Sequence, residues 1–404
     1  MAGIRERWCE PFVGRLGEFS PMPLNVKIGA IACAASLLLV SSIAAEETQG
    51  IVKSKPAAGP YVEIDGGFMV PYEFTIPGTP TKLAMVPIPG GTHVMGTGDA
   101  AYNVVIEPFW MAQTETTWAQ YQEYMKLHNQ FRQFNATGIR RVTAENKIDA
   151  VTAPTPIYEI SAIYEEGKVD PQQAVVTVTQ YAAMQFSKWL SGVTGRQYRL
   201  PSEAEWEHAA LGGTAGPYSF ADVDKIGDYA WFASKTGDVQ PRVGQKLPNP
   251  FGLYDMHGGV WEWVLDAYRE TPPEAWAGKT LTADEAIQWS AEPYPLCTKG
   301  GSWNDAADDC KVTAKLGSND LDWKDQEANI PQSPCWFTSY PAHCVGFRVM
   351  CPLRTVPKAD MAKYWEARSE DLKQDVYDQI RGGRGVEGLV DETLPDAIER
   401  TKQK

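Results

Sequence analysis

Residues Asp255 to Trp263 read DMHGGVWEW. Asp255 and Glu262 offer carboxylates, and the glycines between them let backbone carbonyls turn toward a shared centre. Acid oxygens joined by carbonyls suit a hard cation, calcium before zinc. A surface turn in which one acid caps a backbone amide is the commoner outcome of such spacing, and both readings stay open here. Residues Lys299 to Cys310 read KGGSWNDAADDC. Asp305, Asp308 and Asp309 would raise the pKa of the Cys310 thiol, so a structural or paired thiol is favoured over a reactive thiolate. The histidines are His93, His128, His208, His257 and His343, and none is two or four residues from another. A three-histidine metal centre would need most of them to converge. No GxSxG is present, and no full GxxxxGK[ST] phosphate loop, since Gly278-Lys279-Thr280 has Pro273 where the first glycine would stand.

Several elements must position these groups. Thr117 to Lys126 has helical spacing, with Trp118, Tyr121 and Met125 on one face. Thr179 to Ser191 reads as a second amphipathic helix. Ser202 to Leu211 is a third, and Ser202 with Glu205 makes a capping box at its start. Trp110, Trp118, Trp189 and Trp206 are expected in the core. Short strand-like runs broken by Gly and Pro fill Met85 to Trp110, and more follow Thr298. Asn129 to Gln173 reads as irregular, and Gly213 to Pro250 as loop. Pro357 to Ile380 is a charged helical tail that either docks or stays free. The sum is an α+β domain with much coil.

The chain has 404 residues and a net charge of -14. An acidic chain argues against nucleic acid as the main partner, because phosphate contacts need a basic face. Ile28 to Val40 is a small, apolar run with Lys27 before it and SSIAAEE after it. It reads as an export signal, too short for a comfortable membrane span. Cleavage after Ala44 or Ala45 leaves no stable span, and Met22 is an alternative start. The expected organisation is a signal at 1–45, a linker with one edge strand at 46–82, the body at 83–356 and the tail at 357–404. The product is exported, periplasmic or secreted. Cys297, Cys310, Cys335, Cys344 and Cys351 then remain, an odd set in a compartment that permits disulfides. Two of Cys335, Cys344 and Cys351 are expected to pair.

In chain order, MVPIPGGTHVMGT (Met85–Thr97), EPFWMAQTETTWAQYQEY (Glu107–Tyr124), RLPSEAEWE (Arg199–Glu207), GLYDMHGGVWEW (Gly252–Trp263), KGGSW (Lys299–Trp303) and VGFRV (Val345–Val349) resemble the formylglycine-generating enzyme, or sulfatase-modifying factor, domain family. The resemblance implies a variant of the C-type-lectin-like fold, with a small twisted antiparallel sheet, flanking helices and irregular coil. It implies a structural calcium held by the side chains of Asp255 and Glu262 and the carbonyls of Gly258 and Val260. Asp255 stands where the family has Asn, and Gly259 departs from a usual Asn.

The family oxidises a cysteine of a client sulfatase to formylglycine, using copper(I) between two thiolates. The first thiolate position is Asp305 here, and only the second, Cys310, is kept. Soft thiolates suit copper(I) and a carboxylate does not, so copper is disfavoured. A family disulfide is also absent, its positions being Phe186 and Val349. The resulting reading is an exported family member that is no oxidase. It would bind a peptide, such as a sulfatase segment, or a glycan in a groove around Ser302, Trp303 and Arg348. The alternative is an active oxidase working through Cys310.

Overall fold

The computed structural model describes residues 49–142, 170–233, 239–318, 344–382 and 385–402. The export signal, Cys335 and His343 lie outside the described residues. No helix among the described residues is long and apolar enough to cross a membrane.

The architecture is α+β, with small sheets, few helices and much coil, as expected. The sheet that matters for function has four strands in the order Lys315–Gly317, Leu296–Lys299, Trp261–Ala267, Val345–Gly346. Trp261–Ala267 is buried at every residue. It runs antiparallel to Leu296–Lys299 and parallel to Val345–Gly346. Lys299 pairs with Glu262, and Val345 with Trp261. This register brings the DMHGGVWEW, KGGSW and VGFRV segments side by side. A second four-stranded sheet contains Tyr72–Thr75, Lys82–Ile88, Phe109–Ala112 and Met350–Pro352.

Helix α1 (Trp118–Met125) starts at a Thr117–Gln120 capping box. A second helix follows at Leu127–Thr137 (α2), inside a stretch that reads as irregular. Its polar Asn and Gln content hides the pattern, but Leu127, Phe131 and Phe134 recur at helical spacing and are buried. Helix α3 (Gln180–Thr194) is buried along nearly its whole length. Helix α4 (Glu203–Leu211) carries the expected Ser202–Glu205 capping box. Trp110, Trp118, Trp189 and Trp206 are all core residues. Phe186 and Val349, at the positions of the absent disulfide, belong to the same apolar cluster.

Two peripheral segments are more ordered than their composition suggests. Residues Ile51–Val52, Val62–Ile64 and Gly67–Met69 form a three-stranded sheet, and Tyr72–Thr75 joins the main body, where one edge strand is expected. The tail docks: the Trp365 ring nitrogen donates to Tyr198 O at 2.9 Å, and Gln185 donates to Trp365 O at 2.7 Å. Cys344 and Cys351 are both free thiols, so the pairing of these two with each other does not form.

Candidate functional site

Asp255 sits in the left-handed backbone region, at φ 59°. Asp tolerates this conformation better than most residues do, and it aims the carboxylate inward. One oxygen accepts from Gly244 N at 2.6 Å, and the other is buried without a hydrogen-bond partner. Glu115, on the connection between Phe109–Ala112 and α1, is also buried and has an oxygen without a partner. The two meet at Gly259. The place where a Cβ would stand on Gly259 is taken by a Glu115 carboxylate oxygen. A side chain at Gly259 would require the Glu115 carboxylate to shift. Burial, then the Asp255 charge, pushes the Glu115 carboxyl well up. Burial also raises Asp255, although the Gly244 amide opposes it.

Glu262 lies in a different environment. Arg348 grips both its oxygens, each at 2.6 Å, and the Trp206 ring nitrogen donates to one at 2.9 Å. Arg348 is fully buried, and its guanidinium also donates to Tyr254 O and Ala112 O. Burial alone would lower its pKa, but Glu262 outweighs that and holds the charge. Among the described residues Glu115 and Asp255 make no direct ion pair, although the Arg348 charge reaches both and opposes their rise, while Glu262 is gripped by Arg348 itself. A cavity of about 10 Å³ is lined by Glu115, Asp255, Gly259 and Val260, room for one water or ion. The feature that fits a hard cation is the two acid oxygens without partners, one from each residue. Among the described residues no cluster of three or more His, Cys, Asp or Glu is placed to hold a metal. A cation here would rest on two carboxylates plus carbonyls. Glu115 has no spacing signal in the chain, being far from Asp255 in sequence.

The turn after Leu296–Lys299 carries the second group. Asp305 accepts from the Trp261 ring nitrogen at 2.7 Å and from the Ser302 hydroxyl, which lies very close. The Cys310 thiol is buried and donates to Ala306 O at 3.6 Å. Burial, then Asp305 and Asp309, pushes it up to about 12. Cys344 is buried beside Ser302, and its carbonyl accepts from Trp261 N at 2.8 Å. Burial raises its thiol to about 12 as well, opposed by a hydrogen bond with Ser302 and assisted by Asp305. The copper(I) pair of the family does not fit positions 305 and 310, because a hydrogen-bonded carboxylate holds the first. Ser302, Trp303 and Arg348 are all buried, and Arg348 serves Glu262 in place of an open groove wall.

His257 ties the two parts together. Its Nε2 accepts from Ser219 N at 3.1 Å, so Nδ1 carries the proton and donates to Cys310 O at 3.0 Å. Burial pulls its pKa down to about 4, so it stays neutral. Lys299 is buried between Glu207 and Glu203, at 2.6 and 3.4 Å, and locks α4 to the sheet.

These motifs on one small sheet define a sulfatase-modifying-factor domain. The chain belongs to that family: the sulfatase-modifying factor enzyme 1-like domain matches residues 75–326. It is 34% identical over 145 residues to a formylglycine-generating enzyme of Mycobacterium tuberculosis, covering 32% of this chain and 45% of that one. It is 26% identical over 286 residues to the serine/threonine-protein kinase pkn1 of Chlamydia pneumoniae, covering 67% of this chain and 40% of that one. It is 26% identical over 281 residues to the inactive C-alpha-formylglycine-generating enzyme 2 of Mus musculus, covering 58% of this chain and 80% of that one. The chain thus spans less than half the length of the Mycobacterium and Chlamydia relatives.

Proposed function

We propose that this chain is an exported, calcium-stabilised family member that binds a peptide segment of a protein client and does not oxidise it through positions 305 and 310. The observation that carries the reading is Asp305. Its carboxylate stands where a soft thiolate is required, and it is committed to Ser302 and Trp261. The Cys310 thiol beside it is held protonated, which removes the nucleophilic form. An inactive relative in Mus musculus shows that the domain persists without the oxidase activity. Export is read from the apolar run Ile28 to Val40. Calcium is assigned to Glu115 and Asp255, with Gly258 and Val260 as carbonyl donors and Glu262 as a support held by Arg348.

The test is to incubate the chain with a cysteine-containing sulfatase peptide under air and read both binding and aldehyde formation. Binding without aldehyde is the expected result. Aldehyde formation by the unaltered chain would overturn the reading in favour of an oxidase. A glycan array run beside it covers the other ligand class, and glycan binding with no peptide binding would replace the peptide client.

A further inference from the structure

We propose that the space between the docked tail and the body is a binding site for one small, neutral, apolar molecule that carries an N–H or O–H donor. Its polar anchor is the Gln130 side-chain oxygen. The proposal goes beyond the client-binding reading and needs neither the client nor a metal.

A cavity of about 250 Å³ opens between the body and the tail helix Leu394–Lys402. Leu127, Trp189 and Val193 line it from the body, and Leu394, Pro395 and Ile398 from the tail. The tail is pinned just ahead of this helix. A Cβ on Gly192 would stand 2.4 Å from the Val390 side chain, and one on Gly388 would stand 2.3 Å from the Phe131 ring. Arg140 donates to Leu389 O at 3.0 Å and to Thr393 Oγ1 at 2.7 Å, and it pairs with Asp391 at 3.0 Å. These contacts seat the tail backbone directly on α2 and α3, and they fix the wall that Leu394 begins.

Protein interiors leave few voids larger than a water, and apolar side chains around a void lose their dispersion contacts. A cavity of about 150 Å³ already holds a benzene-sized molecule, so this one has room for a fused ring pair. Gln130 also lines it, and its Oε1 is buried with no hydrogen-bond partner. An acceptor left unpaired in a buried place is costly, so a guest that donates to it gains what a guest without a donor does not. At the rim Lys126 pairs with Glu123, and Lys402 with Glu399, each at 2.6 Å. Each lysine is matched by an acid three residues away. The rim therefore offers no unbalanced charge to an ion and suits a neutral guest.

The probe is indole, a fused apolar ring pair with one N–H. It is set against benzofuran, which has nearly the same shape but an acceptor oxygen in place of that N–H. Calorimetric titration of the full chain is expected to show one equivalent of indole, with benzofuran weaker by about fivefold or more. Gln130→Met keeps the bulk and removes the acceptor, so it should bring the two probes within about twofold of each other. Ile398→Trp should fill the cavity and abolish both. Hydrogen exchange locates the guest without a variant: indole should slow the amides of Leu394–Lys402. No indole binding, equal binding of the two probes by the unaltered chain, or unchanged exchange in that helix would overturn the proposal. None of these results bears on the peptide assay, so the two readings fall separately.

Discussion

Glu115 and Asp255 have raised pKa values in the fold, both chiefly through burial. In the unfolded chain such groups titrate near about 4. A carboxyl raised on folding holds a proton that the unfolded chain has lost, so metal-free stability is highest at low pH and falls as pH rises through the folded values. Calcium at the proposed site takes the place of those protons and should flatten the slope. The thermal midpoint in excess EGTA is expected to fall as pH rises above about 4, and calcium should restore it. At a hundredfold excess over Kd the ion is worth about 2.7 kcal/mol. Glu115→Gln should lose most of that calcium shift and most of the pH slope. A midpoint indifferent to calcium, EGTA and pH would remove the cation from this pair.

Helix α4 shows how a local signal and a long-range partner share one element. Ser202 and Glu205 are legible as a capping box, and both capping bonds form. Ser202→Ala is expected to cost about 1 kcal/mol in urea unfolding. Glu205 does more than its spacing suggests, because buried Arg199 holds it through two bonds of 2.7 Å. Glu205→Ala leaves that guanidinium buried and unpaired, and should cost about 3–5 kcal/mol. Similar losses for the two variants would mean that the ion pair adds nothing beyond the cap. Helix α2 lay outside this legibility. Its buried face is narrow and most of its other positions are polar, so the composition hides it although Gln, Arg, Leu and Ala favour helix.

The tail is part of the molecule's stability. Met361, Tyr364, Trp365 and Leu394 are buried. Lys188 reaches Glu366 at 2.6 Å, and Arg140 reaches Asp391 at 3.0 Å. A large apolar side chain buried this way contributes about 1.5–3 kcal/mol. Deletion of residues 357–404 is therefore expected to lower the thermal midpoint by about 10 °C or more. An unchanged midpoint would make the tail an appendage. Amphipathic spacing marks these helices as helices, but nothing in a charged, Gly-interrupted segment says which surface will receive it.

By itself the sequence determined what depends on neighbours in the chain. The helix caps follow from Thr117 and Ser202, the buried tryptophans from apolar spacing, and the smaller part of the rise of the Cys310 thiol from aspartates beside it, burial being the larger cause. The family follows from ordered motifs that needed no coordinates. The tertiary structure decided what depends on groups far apart. It gave Glu262 to Arg348 and brought Glu115 and Asp255 together at Gly259. It set Cys344 against Ser302, because the strand after Cys344 pairs with Trp261. Charges and thiols act through distances of a few ångströms, and those distances are set by sheet register, which chain spacing does not encode.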